Sequence, residues 1–175
     1  MGLFKSKEEK LREKEELREA NKKIWLAPYI EKGFSISKSI YIPDYNSKKS
    51  EINDACVIID TENKKWAYTS RKLYESGIVK IYDFNEFVKY DAQRNDNNID
   101  SIKGSGYIIG NMYNQIETGT IKRISYKFVV FTNSNSIDDT SIVLLSQDGY
   151  SLTIPEYDNI MEELTKTFEY ITNNK

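Results

Sequence analysis

The sequence contains no histidine and a single cysteine, Cys56, among its 175 residues. Without histidine the chain cannot build a Ser-His-Asp triad, a Cys-His pair or a histidine-ligated metal site. One cysteine allows neither an internal disulfide nor a thiolate zinc cluster. Cys56 lies inside the apolar run at 55–59, and an unpaired cysteine in such a run usually acts as a small hydrophobic residue. We therefore predict that Cys56 belongs to the core and is not a reactive thiol.

Long apolar runs are also missing. No stretch approaches about 18 consecutive apolar residues, the length that predicts a transmembrane helix, and no basic segment followed by an apolar one marks a secretory signal. Residues 1–6 match a myristoylation pattern, but such short patterns often match by accident. The abundance of Ile, Asn, Lys and Tyr points to an AT-rich bacterial or phage genome, where this modification is not expected. We predict a cytoplasmic protein whose membrane contact is at most peripheral.

The charge is nearly balanced and no cofactor motif is present. Lys and Arg number 25 and Asp and Glu number 27, a net charge of −2, so no strong field attracts nucleic acid. The G-x-G at 104–106 lacks the third glycine of a nucleotide-binding loop, and no helix pattern follows it. Asp44 and the pair Asp138–Asp139 have no spacing that defines a site. We predict no cofactor, no metal, no nucleic-acid partner and no enzymatic activity.

The most ordered pattern lies between residues 55 and 94. The runs ACVIID and KWAYTS flank the polar turn TENK, which predicts a β-hairpin. The first run is apolar on both faces, as is typical of a central strand. Further strands are predicted at 34–42, 78–82, 87–90, 121–132, 142–145 and 152–154, with turns at 95–98 and at Gly149–Tyr150.

A charged helix is predicted at the N-terminus, over residues 5–24. Its residue types favour helix, and opposite charges recur four residues apart. Leu17 and Ile24 are one heptad apart, a repeat too short to establish a coiled coil. Two interpretations follow: a solvated leader helix, which charge runs favour, or a helix for self-association or partner binding.

A second helix is predicted at the C-terminus, with Pro155 at its first position. Its apolar residues recur at three- and four-residue steps and form one stripe, which predicts a helix packed on a sheet. The stripe consists of Tyr157, Met161, Leu164, Phe168 and Ile171.

An antiparallel sheet of about seven strands followed by one amphipathic helix is typical of the pleckstrin-homology-like (PH-like) architecture. Residues 55–68 and 80–99 also resemble a family of bacterial and phage-borne proteins with a PH-like domain. In that family an acidic hairpin turn with Lys and Trp precedes a strand of the form I-x-D-[FY]-x-x-[IVF]-x-x-[FY], which an acidic or Asn-rich turn follows. The matching residues are Asp60, Glu62, Asn63, Lys64, Lys65 and Trp66 in the hairpin, and Ile81, Asp83, Phe84, Phe87, Val88 and Tyr90 in the strand.

The chain departs from this family in two places. A charged helix stands where family members often carry a cysteine zinc module, and the short segment 103–111 replaces a long Gly/Ala-rich segment. The family has no firmly assigned activity, so the resemblance implies a fold rather than a reaction. We predict an α+β protein in which a strongly bent antiparallel sheet or partly open barrel is capped by the C-terminal helix. Its segments are the helix at 1–24, a connection with one strand at 25–50, and the PH-like domain at 51–175.

The predicted function is protein–protein interaction, as a non-enzymatic scaffold or adaptor module of a bacterium or phage. One alternative is a phage or mobile-element protein that binds and inhibits a host enzyme, in counter-defence. Another is lipid-headgroup binding, since the resemblance places basic residues in the first hairpin, although the negative net charge favours a protein partner. Self-association through the N-terminal helix stays open. The predicted contact residues are Lys64, Lys65, Arg71, Lys72, Tyr107 and Tyr113.

Overall fold

Eleven elements follow one another along the computed structural model, which describes residues 7–43, 54–99, 121–133, 140–150 and 157–175. In chain order they are α1 (Lys7–Glu31), β1 (Lys38–Ile42), β2 (Ala55–Asp60), β3 (Lys65–Ser70), α2 (Arg71–Glu75), β4 (Ile81–Asp83), a 3-10 turn (Phe84–Glu86), β5 (Phe87–Ile99), β6 (Ile121–Thr132), β7 (Ser141–Tyr150) and α3 (Tyr157–Asn173).

The α+β class is confirmed, but the strands form two sheets. One sheet has the order β1-β2-β3-β4 and the other β5-β6-β7, and all described pairings are antiparallel. Neither sheet closes into a barrel within the described ranges. The chain divides into two compact units, Met1–Phe84 and Asn85–Lys175.

The centre of the first unit is the predicted hairpin. β2 pairs with β1 on one side and with β3 on the other, and all six of its residues are buried. This confirms the central position that its two apolar faces predicted. Cys56 and Ile58 on β2 pack with Ala67 on β3 and with Leu26 and Tyr29 on α1. The predicted strand after Gly33 is also present, although β1 covers only Lys38–Ile42.

The N-terminal helix continues past its predicted end at residue 24 and reaches Glu31, with Pro28 inside it. Burial of Trp25, Leu26 and Tyr29 accounts for the extension, because tertiary packing outweighs the local cost of proline. The helix ends in a Schellman motif: the amide of Phe34 donates to the Tyr29 carbonyl (3.0 Å) and that of Gly33 to the Ile30 carbonyl (2.9 Å). Gly33 has φ +81°, a conformation that glycine adopts without strain.

The second unit consists of the sheet β5-β6-β7 and α3. All five residues of the predicted C-terminal stripe are buried, which confirms that this face of α3 packs inward. At its centre Phe168 lies 5.2 Å from Phe87, 5.7 Å from Phe128 and 6.5 Å from Tyr90, measured between ring centroids. Each separation lies in the range of favourable aromatic pairing.

Two predicted turns are wrong. Residues 95–98 belong to β5, where Asn95 pairs with Ser125 and Asn98 with Lys122. Gly149 and Tyr150 are the last residues of β7, with Gly149 opposite Ile124. In both places pairing with the long strand β6 overrides the turn preference of Asn, Asp and Gly, because strand propensity depends strongly on the neighbouring strand. The predicted edge at 152–154 and the helix start at Pro155 lie outside the described residues.

No helix in the described part of the chain is long and apolar enough to span a membrane.

Candidate functional site

An open groove of about 400 Å³ lies in the first unit, between α1, α2 and the chain that follows α2. We call it the α1–α2 groove. Residues that line it include Trp25, Pro28 and Tyr29 from α1, Tyr74 and Glu75 from α2, and Ile78 from the connection to β4. A volume of this size suits a small ligand or a few side chains of a peptide.

The sequence around residues 70–78 builds one wall of this groove. Ser70 caps α2, because its hydroxyl oxygen accepts a hydrogen bond from the Leu73 amide (3.3 Å). A second Schellman motif ends the helix: Ile78 donates to the Leu73 carbonyl (3.0 Å) and Gly77 to the Tyr74 carbonyl (2.9 Å). Gly77 has φ +65°. These two caps fix a five-residue helix that would not persist on its own, and they place Tyr74 and Ile78 at the groove.

Two aromatic residues on α1 are buried and held by further contacts. The Trp25 ring stacks on Tyr41 of β1 at 6.3 Å between centroids. The Tyr29 hydroxyl donates to the Tyr68 carbonyl of β3 (3.1 Å). Burial raises the pKa of Tyr29, so this hydroxyl stays protonated and keeps its donor role. This side of the groove is therefore preformed.

The opposite wall remains open to solvent. Tyr74 is 39% exposed and Ile78 is 41% exposed, and both are large apolar side chains beside the groove. Glu75 also lies at this wall, where its Oε1 accepts a hydrogen bond from Arg71 Nε at 2.7 Å. The described lining includes this carboxylate but neither lysine nor arginine. The groove thus combines apolar and aromatic surface with one negative charge.

The turn of the β2–β3 hairpin is the second candidate region. The buried Asp60 carboxylate accepts hydrogen bonds from the amide of Ser35 (2.8 Å), the amide of Asn63 (2.9 Å) and the side chain of Asn63 (2.8 Å). Burial by itself raises the pKa of Asp60, but these hydrogen bonds and one from the Glu62 amide outweigh burial and lower the pKa below its usual value. The turn that carries Lys64 and leads into Lys65 of β3 is therefore anchored by these hydrogen bonds.

The structure separates the predicted basic contact residues into two pairs. Lys64 is the last residue of the turn before β3 and Lys65 is the first residue of β3, whereas Arg71 and Lys72 follow the other end of β3 on α2. Six residues of extended strand span about 20 Å, so one small ligand cannot contact both pairs. Arg71 is also engaged with Glu75. The predicted contact residues Tyr107 and Tyr113 lie outside the described residues, as do Asp44 and Asp138–Asp139.

Cys56 contributes no chemistry to either region. It is fully buried, as predicted, and burial raises the pKa of its thiol to about 12. Within the described ranges no group of three or more Cys, Asp or Glu side chains is arranged to hold a metal ion.

Sequence reasoning missed the residues of the α1–α2 groove. Tyr74 and Glu75 belong to no sequence pattern that predicts a functional role. The segment 70–78 does contain a signal for the short helix α2. Ser70 precedes the five residues 71–75, and Gly77 lies two positions after them. No local sequence pattern indicates that α2 lies beside α1. Their proximity depends on how β1, β2 and β3, which separate the two helices along the chain, pair in the sheet.

Comparison of the chain with protein-family models, with curated proteins and with solved structures gave no significant match.

Proposed function

We propose that the chain is a non-enzymatic protein-binding module and that its partner docks in the α1–α2 groove. The observation that carries this proposal is the exposure of Tyr74 and Ile78 beside a groove whose other wall is preformed. Exposed apolar side chains around a concave site are typical of interaction surfaces. Aromatic residues are also enriched among those that dominate binding energy.

We also propose that the two sheets and α3 form one PH-like domain. The order of elements supports this: four consecutive antiparallel strands, three consecutive antiparallel strands and then an amphipathic helix. The hairpin and strand residues that resemble the PH-like family lie on β2, the turn after it, β3, β4, the 3-10 turn and β5. A PH-like domain offers loops and a sheet edge for partner binding, in keeping with the proposed activity.

Binding of a lipid headgroup at the β2–β3 hairpin has weaker support. Lys64 is exposed at the anchored turn, but Glu62 is exposed two residues before it. Arg71 and Lys72 lie at the far end of β3 and cannot add to the same site. The hairpin therefore presents little net positive charge to a phosphate group.

A peptide-display screen against the full chain tests the binding module. Peptides selected on the wild type should lose at least about fivefold in affinity with Tyr74→Ala, because a contact aromatic contributes about 1–2 kcal/mol or more. Tyr170→Ala is the matched control, since Tyr170 is comparably exposed on α3. The pair Ile78→Ser and Ile30→Ser compares an isoleucine at the groove with an equally apolar exposed one on α1. Selected peptides that bind all four variants as tightly as the wild type contradict the proposal.

A further inference from the structure

The lining of the α1–α2 groove has a composition that suits a positively charged group. Tyr74, which is 39% exposed, supplies an accessible aromatic ring and Glu75 supplies a carboxylate, whereas the rings of Trp25 and Tyr29 are buried in the opposite wall. The face of an aromatic ring carries negative electrostatic potential and attracts a cation placed within about 6 Å of its centroid. The described lining has no lysine or arginine, although Arg71 on α2 binds the Glu75 carboxylate from beside the groove.

From this composition we infer that the α1–α2 groove binds a lysine or arginine side chain of the partner. The inference rests on the proposed function of the groove and specifies the chemistry of the bound residue. Both side chains have an apolar stem and a charged end. The stem matches the apolar surface of Pro28 and Ile78, and the charged end matches Tyr74 and Glu75.

The ion pair between Arg71 and Glu75 does not prevent this binding. Both side chains are about half exposed, at 44% and 57%, and exposed ion pairs four residues apart on a helix are weak. The Arg71 contact uses Oε1 of Glu75. A carboxylate has two oxygens and accepts several hydrogen bonds, so a second cation can share it. Arginine is favoured at such a site, since its planar group both stacks on rings and binds carboxylates.

A titration followed by NMR tests the inference on the full chain. The probes are N-acetyl-arginine methylamide and its neutral analogue, N-acetyl-citrulline methylamide, which has nearly the same shape. We expect the arginine probe to shift the backbone amide signals of Tyr74, Gly77 and Ile78, with an affinity at least about threefold higher than that of the citrulline probe. Added salt should reduce this difference, because the groove and its charged wall face solvent.

Variants of Glu75 and Tyr74 measure separately how much the carboxylate and the aromatic ring contribute to the preference for the arginine probe. Glu75→Gln should reduce the preference for the arginine probe about twofold or more, and Tyr74→Leu should do the same, whereas Tyr74→Phe should retain it. Glu162→Gln is the matched control, because Glu162 also forms an ion pair with a residue four positions away on an exposed helix face, Lys166 of α3.

The outcomes distinguish this inference from the proposed function. If both probes shift the groove signals equally, the cation preference is wrong and the groove remains a docking site for neutral or proline-rich segments. If neither probe shifts these signals, the inference is also wrong, and the peptide screen decides separately whether a partner docks there. An equal loss of preference with Glu75→Gln and Glu162→Gln would assign the effect to overall charge and overturn the inference.

Discussion

Asp60 connects three parts of the first unit through its buried carboxylate. It receives hydrogen bonds from Ser35, which precedes β1, and from Asn63 in the hairpin turn. Replacing it with alanine leaves the amide donors of Ser35 and Asn63 without this charged acceptor. We expect Asp60→Ala to lower the free energy of unfolding by about 3 kcal/mol, measured by urea denaturation. Glu31→Gln, which changes an exposed carboxylate at the end of α1, should change it by no more than about 0.5 kcal/mol.

The contribution of Asp60 should depend on pH in a defined direction. Its pKa in the folded chain is lowered, whereas the unfolded value is about 3.9. The ionised group therefore adds stability above about pH 4, and this stability is lost as the pH falls through the folded pKa. The stability difference between the wild type and Asp60→Asn should be constant from about pH 7 to pH 5 and shrink below about pH 4. A difference that grows on acidification contradicts the assigned pKa shift.

Cys56 should be inert in the native protein. Its side chain is fully buried and its thiol pKa is raised to about 12, whereas the thiolate is the reactive form. A thiol reagent such as DTNB at pH 8 should modify Cys56 only at the rate at which the first unit opens, and at once in concentrated urea. Rapid stoichiometric labelling in native buffer would show that the thiol is accessible and would reopen its role as a site.

In the turn of the β2–β3 hairpin, Lys64 adopts a backbone conformation that lysine does not favour. Lys64 has φ +52°, the left-handed region that costs a residue with a Cβ atom about 1 kcal/mol. We expect Lys64→Gly to be more stable to urea than Lys64→Ala by about 1 kcal/mol, since both remove the lysine but only glycine relieves the strain. Equal stability of the two variants would place the residue outside the left-handed region.

Elements whose pattern is long and periodic follow from sequence alone. β6, the hairpin strands β2 and β3, and the stripe of α3 all lie where their apolar periodicity predicts, because burial of one or both faces determines that periodicity. The errors share one physical cause. The end of α1 beyond Ile24, the β5 residues at 95–98 and the end of β7 are stabilised by contacts with distant segments, which outweigh local preferences for turn or proline.

The candidate site was less predictable than the elements that build it. Basic residues near a turn suggest a shared ligand site in a sequence. Lys64 and Arg71, however, flank opposite ends of β3. Tyr74 and Glu75 are candidate site residues only because α2 lies beside Trp25 and Tyr29 of α1, where all four line one groove. A local window does not contain this proximity, since residues 25–29 and 74–78 meet only through folding of the sheet between them.

At the scale of the whole molecule, the proposal of one PH-like domain predicts that the units Met1–Phe84 and Asn85–Lys175 unfold together. A PH-like domain that comprises both sheets and α3 includes parts of both units and requires a single cooperative transition. The chain provides a selective probe, because its two tryptophans, Trp25 and Trp66, both belong to the first unit. Tryptophan fluorescence therefore reports on the first unit alone.

A substitution in the second unit then decides between one domain and two. Phe168→Ala removes a fully buried ring from the core of α3 and its sheet and should cost about 3–5 kcal/mol there. If the units form one cooperative domain, this change should lower the urea midpoint seen by tryptophan fluorescence as much as the midpoint seen by hydrogen exchange of β6. Glu163→Ala, which changes an exposed residue on the same helix, should leave both midpoints nearly unchanged. A fluorescence midpoint that Phe168→Ala does not alter, beside a lowered midpoint for β6, would establish two independently folding domains and contradict the PH-like proposal.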